Sequence, residues 1–261
     1  MDDLREPESL ASGPADEIAD VPTGGPAEVE STSAAAVDPF SEDPAYRAAV
    51  VDLLGALAYG ELTAFSRLAA DADMAPNQPA KAALARVAVA QFQHYEVLTG
   101  RLREMGADAD AAMEPFIAPI DGFHDRTKPS GWLEGLVKAY VGDGIARDFY
   151  REISAYVDPG TQILVRSVLQ DVGQGEFAVR TVRDAIEVNP AVGGRLALWG
   201  RRLVGEALSQ SQRVAVERDD LASLLVGGHN RPGADLAEIG RMFARITDEH
   251  TRRMGQLGLN A

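Results

Sequence analysis

The feature that most constrains the fold is a helical spacing of apolar residues that runs through nearly all of the chain after Asp43. Apolar side chains recur every three or four residues, which is typical of amphipathic helices and incompatible with strands. The periodicity predicts six helices, at about residues 44–71, 79–105, 130–157, 161–188, 191–218 and 234–257. We therefore predict an all-α helical bundle with additional C-terminal helices.

The predicted ends of these helices follow from local residue chemistry. Pro79 suits the first turn of the second helix and Gly106 its end, while Ser130 is a suitable N-cap for the third. Residues 106–130 contain three prolines, so we predict a long connector that crosses one end of the bundle. His124 falls in this connector, and His229 falls in a second predicted loop at 227–233.

The first 42 residues differ from the rest in composition. They hold eleven acidic residues and one base, Arg5, and thus carry most of the net charge of -15. Such a segment buries too little apolar surface to offset the entropy of ordering it. We predict a disordered acidic tail at 1–42, a helical bundle at 43–220, and a loop and C-terminal helix at 221–261 packed on the bundle.

Composition also narrows the function classes. The chain has no cysteine, which excludes disulfides and thiol catalysis. Its N-terminus lacks the apolar core of a secretory signal, and no run of about 18 apolar residues predicts a membrane span. We expect a cytoplasmic protein. Its acidic balance argues against nucleic acid as a partner.

Polar residues interrupt several of the apolar stripes. A buried charge is costly unless it is paired or binds a metal, so one or two intrusions per helix predict a shared polar centre inside the bundle. The intruding residues are Glu61, Gln91, His94, Asp143, Asp171, Gln174 and Glu206.

Short motifs around these positions carry a family resemblance. They are Ala58-Tyr59-Gly60-Glu61, the segment QFQHYE at 91–96, GDGIARDF at 142–149 and DVGQGEF at 171–177. Over about residues 44–220, the chain resembles the ferritin-like superfamily. In particular, it is similar to actinobacterial proteins related to the tRNA hydroxylase that acts on 2-methylthio-isopentenyl-adenosine.

The resemblance implies a ferritin-like four-helix bundle with a carboxylate-bridged metal centre and an oxygenase or hydroxylase activity. Carboxylate and imidazole ligands suit iron or manganese. One helix of that scheme supplies a carboxylate and the next a carboxylate and a histidine three residues later, and the other two helices repeat the arrangement. On this chain the implied metal ligands are Glu61, Gln91, His94, Asp143, Asp171 and Gln174.

Two departures from the scheme leave a second hypothesis open. Gln91 stands where a glutamate is expected and Gln174 where a histidine is expected, which leaves three carboxylates and one histidine. The chain is thus either a metal-dependent hydroxylase with a degenerate di-metal site or a metal-free ferritin-like scaffold. Such a scaffold would act by protein binding or as a homodimer. The resemblance implies tRNA as substrate, but the acidic charge favours a small or apolar one.

Overall fold

A computed structural model describes residues 43–170, 174–227 and 233–261. The predicted disordered tail, residues 1–42, lies outside this part of the chain. The described residues form helices and turns, and none of them lies in a β-strand, which confirms the all-α prediction. The helices are α1 Pro44–Asp71, α2 Gln78–Glu104, α3 Ala109–Arg126, α4 Trp132–Val137, α5 Asp143–Ile153, α6 Pro159–Val168, α7 Gln174–Val188, α8 Ala191–Glu217, α9 Asp219–Val226 and α10 Leu236–Gln256.

Helix α1 is the central element of the bundle. It begins where the sequence predicts, because the Asp43 carboxylate accepts the backbone N–H groups of Ala45 and Tyr46, and Pro44 occupies the first turn. The helix packs against α2, α3 and α9. Pro44–Met74 has the length and apolar composition of a membrane span, but 56% of its most apolar window is buried inside the fold. This burial is typical of the core helix of a soluble protein.

Two contacts fix neighbours tightly against α1. Gly55 lets the backbone of α3 approach so closely that a Cβ at position 55 would lie 2.1 Å from the carbonyl oxygen of Ala112. Three residues earlier, the buried carboxylate of Asp52 accepts two hydrogen bonds from Arg218, at 3.0 and 2.6 Å. A bidentate pair of this kind fixes orientation as well as distance, so it anchors the start of α9 to α1.

The predicted connector at 106–130 is wrong, because most of it is helix α3. Pro115 and Pro119 lie inside this helix, although an interior proline costs about 3 kcal/mol in lost hydrogen bonding and steric conflict. Burial of Met113 and Phe116 against the α1 side of the core offsets that cost. The Asp108 carboxylate supplies the N-cap by accepting the Ala111 N–H.

The third predicted helix exists, but it is not regular. Helices α4 and α5 are continuous through a π-helical segment, Lys138–Gly142, and α5 ends in a short 3-10 turn, Ser154–Tyr156. Ser130 is not the N-cap, which is Gly131; instead, its N–H and hydroxyl both donate to the Glu134 carboxylate. Widened π turns are frequent at functional sites, and this one places Asp143 directly after it.

The fourth predicted helix, 161–188, is wrong as a single element. Helix α6 ends at Val168 and α7 begins at Gln174, and residues 171–173 lie outside the described part of the chain. The sequence there contains Gly173 and Gly175, and each glycine weakens a helix interior by about 1 kcal/mol relative to alanine. The fifth predicted helix is α8, and the last is α10, which packs on α5 and α8.

Candidate polar centre of the bundle

A cavity of about 190 Å³ lies among α1, α2, α3, α5 and α8. Its walls are mainly apolar and include Leu57, Phe116, Ile120 and Ile145. The larger polar side chains in the walls are Glu61, Gln91, His124, Asp143, Arg147, Tyr150 and Gln210. The cavity therefore collects polar groups from five helices around a small, largely apolar space.

Glu61 contributes a carboxylate to the cavity from the middle of α1. Its Oε2 lies 3.4 Å from Nδ1 of His94 on α2. Burial raises the pKa of Glu61, and the neighbouring His94 and Arg147 oppose that rise. Two of the residues predicted for a shared centre thus make contact, although His94 is not part of the cavity wall.

Asp143 contributes the second carboxylate from the first turn of α5. Burial raises the pKa of Asp143 to about 6; Arg147 opposes the rise and Glu61 adds to it. The Arg147 guanidinium lies 3.9 Å from Oδ2 of Asp143. Since Asp143 and Glu61 repel each other electrostatically across the cavity, Arg147 acts as their local counter-charge.

Four buried polar atoms of the cavity residues have no hydrogen-bond partner among the described residues. They are Nε2 of Gln91, Nδ1 of His124, Oδ2 of Asp143 and Oε1 of Gln210. Buried polar atoms in folded proteins are nearly always hydrogen-bonded, so four exceptions around one cavity need an explanation. The set includes both donors and acceptors.

His124 is the cavity residue that sequence reasoning missed most clearly. The structure places it on α3 rather than in a loop. Burial, together with the positive charges of Lys138 and Arg67, lowers the pKa of His124 to about 3, so its imidazole is neutral at physiological pH. The sequence signal for this helix is the helical spacing of Phe116, Ile120 and Phe123. Pro115 and Pro119, which normally interrupt helices, obscure it.

The remaining predicted site residues are placed as follows. Gln91 is buried, at 3% exposure, and lines the cavity. Gln174 is the first residue of α7, but its side chain, like Asp171, lies outside the described part of the chain. Glu206 is engaged elsewhere: its Oε1 lies 3.1 Å from Nη1 of Arg126.

Asp171 and the Gln174 side chain, two of the six implied ligands, lie outside the described part of the chain, and the other four do not form a metal-binding cluster. Within residues 43–170, 174–227 and 233–261, no three histidine, aspartate or glutamate side chains come together closely enough to hold an ion. The charge of Glu61 is met by His94 and Arg147, and that of Asp143 by Arg147. The Arg147 guanidinium is thus the counter-charge that these two carboxylates share.

The all-α fold of the described residues is that of a ferritin-like helical domain. A family model described as a ferritin-like domain of actinomycetes matches residues 44–228. The match covers more than half of the chain, and the protein belongs to this family. No curated protein matches the chain.

Proposed function

We propose that this domain binds a small, largely apolar molecule with a hydrogen-bonding group in its central cavity, and that it does so without a metal. The observation that carries the proposal is the set of four unpartnered polar atoms in an otherwise apolar wall. A bound molecule that both donates and accepts hydrogen bonds would remove the cost of leaving these atoms unsatisfied.

The size and charge of the cavity define the ligand class. A cavity of about 150 Å³ is enough to take up benzene, and this one measures about 190 Å³. The Arg147 guanidinium faces both carboxylates, so the wall does not favour an anionic ligand. A neutral ligand with a hydroxyl group would donate to Asp143 or Gln210 and accept from Gln91.

Phenol and benzene are suitable probes, since they differ by a single hydroxyl group. We expect isothermal titration calorimetry on the full chain to show binding of phenol that is tighter than that of benzene by about tenfold, the effect of one satisfied buried hydrogen bond. Equal affinities for phenol and benzene would show that the unpartnered polar atoms do not contribute to ligand binding. Cyclohexanol serves as a third probe of different shape. If none of the three molecules binds, the proposal is contradicted.

Filling the cavity provides a matched test. Ala207 on α8 lines the cavity, whereas Ala215 lies two turns further along the same helix and is exposed. We expect Ala207→Leu to abolish phenol binding because its side chain occupies the space, while Ala215→Leu binds phenol as the natural protein does. Circular dichroism checks that both variants are folded. Unchanged phenol affinity in Ala207→Leu would place the binding site elsewhere.

The second candidate function is a metal-dependent hydroxylase. It is supported by the resemblance to tRNA hydroxylases and by two carboxylates, Glu61 and Asp143, on facing helices of a ferritin-like bundle. It requires a further donor, and Asp171 is the residue that the resemblance implies. Iron or manganese that copurifies with the protein and is released by His94→Ala would favour this candidate over metal-free binding.

Two further proposals concern the location of the protein and its oligomeric state. We propose a cytoplasmic location and a homodimer, with tRNA disfavoured by the net charge of -15. Several large apolar side chains on α2 are exposed and suit an interface, among them Val89 and Val97. Light scattering on the purified protein distinguishes a dimer from a monomer directly.

A further inference from the structure

A second concavity, of about 490 Å³, lies mainly among α5, α7 and α10, with walls that combine apolar and charged side chains. Its apolar part includes Val87, Phe177 and Val179. Its charged part is dominated by arginine, with five: Arg147, Arg151, Arg183, Arg252 and Arg253. Three acidic residues, Asp148, Glu176 and Glu249, complete the charged wall. We call this feature the arginine groove.

The arginines of the groove outnumber the acids that pair with them. Asp148 serves two of them, since its Oδ1 accepts from Arg151 at 2.9 Å and its Oδ2 accepts from Arg253. Arg252 pairs with Glu249 on the same helix. Arg183 donates to the backbone carbonyl of Gln256, at 3.4 Å. Among the described residues no carboxylate pairs with Arg183, so the groove carries an excess of positive charge.

Arg253 is held rigidly in the groove wall. Its side chain is 7% exposed, and its Nε is buried without a hydrogen-bond acceptor among the described residues. Room for this guanidinium depends on Gly144 of α5, because a Cβ there would lie 2.5 Å from Nε of Arg253. The Nε–H is closed off against α5, so Arg253 faces the groove with the terminal part of its guanidinium, a group suited to binding anions.

We propose that the arginine groove binds an organic anion: a carboxylate or phosphate group held by Arg183 and Arg253, attached to an apolar body that packs on Phe177 and Val87. Guanidinium groups bind both kinds of anion through paired, charge-assisted hydrogen bonds. The site is distinct from the central cavity, although Arg147 and Leu169 contribute to the walls of both. It does not depend on the function proposed for that cavity.

Arg183 is the residue to change, because it is exposed and its loss leaves the buried pair of Arg253 with Asp148 intact. Arg180 is the matched control, since it lies one turn earlier on α7, is also exposed and does not line the groove. The probes are hexyl phosphate, hexanoate and inorganic phosphate, each titrated calorimetrically into the full chain at low and high salt.

We expect hexyl phosphate or hexanoate to bind more tightly than inorganic phosphate, and the affinity to fall with added salt. Arg183→Met should weaken binding about tenfold, as expected for the loss of a charge-assisted hydrogen bond, and Arg180→Met should leave it unchanged. If hexyl phosphate binds more tightly than hexanoate, the anionic group of the ligand is a phosphate ester. If hexanoate binds more tightly, it is a carboxylate. The proposal is overturned if none of the three anions binds, or if Arg183→Met and Arg180→Met bind equally well.

Discussion

Replacing Gly55 by alanine is expected to lower the free energy of unfolding by about 3 kcal/mol, at the upper end of the cost of overpacking a core. The added Cβ would lie 2.1 Å from the carbonyl oxygen of Ala112. That oxygen belongs to the backbone of α3, so the clash can be relieved only by moving one helix away from the other. Urea unfolding followed by circular dichroism measures the loss.

Gly60 provides the control on the same helix. A Cβ at position 60 would meet no heavy atom within 4 Å, so Gly60→Ala should stabilise the protein by up to about 1 kcal/mol through helix propensity alone. If the two variants were equally stable, the close approach of α1 and α3 would not exist as described.

Asp143→Asn is expected to raise the free energy of unfolding by about 3 kcal/mol at neutral pH, because each unit of pKa shift corresponds to about 1.4 kcal/mol. Burial raises the pKa of Asp143 to about 6, above its value of about 4 in an unfolded chain. Above pH 6 the folded protein must therefore hold an unfavourable buried charge. As the pH falls from 6 towards 4, the folded state binds this proton before the unfolded state does, and stability is gained. The advantage of the asparagine variant should accordingly shrink over that interval.

Asp52→Asn is the natural comparison, since Asp52 is also an interior carboxylate, more fully buried than Asp143, but is paired with Arg218 at 2.6 Å. Removing one partner of a buried pair is strongly destabilising, so this change should lower stability at neutral pH. The two substitutions are thus expected to have opposite signs in the same chemical denaturation assay. A loss of stability in both would show that the Asp143 carboxylate is well compensated in the folded state.

The sequence predicted the long helices best where an N-cap residue and an uninterrupted apolar stripe indicate the same helix. Helix α1 begins where predicted because Asp43 caps it, it also ends at the predicted residue, and the end predicted for α8 is within one residue. The predicted connector is wrong at α3, because Pro115 and Pro119 favour a loop by local propensity but lie inside a helix. Local propensity there is outweighed by the burial of Phe116, which depends on a partner far away in sequence.

The candidate centre was predictable only in part. The stripe positions of Glu61, Gln91 and Asp143 indicated that these residues face the bundle interior, and they line one cavity. The spacing of polar residues could not show that Arg147, His124 and Gln210 also line this cavity. Arg147 has the character of a surface charge, and His124 lay in the connector that was predicted wrongly. Whether a shared polar centre becomes a metal site depends on distances of a few ångströms, which periodicity does not specify.

The central proposal is that Glu61 and Asp143 stand in the bundle interior beside Arg147 without a metal ion. Elemental analysis of the full chain, produced with added iron and manganese and purified without chelators, tests it most directly. We expect far less than one ion of iron, manganese or zinc per chain, and no change in Asp143→Asn or His94→Ala. One or more ions per chain in the natural protein, lost in both variants, would contradict the claim and establish a metal centre.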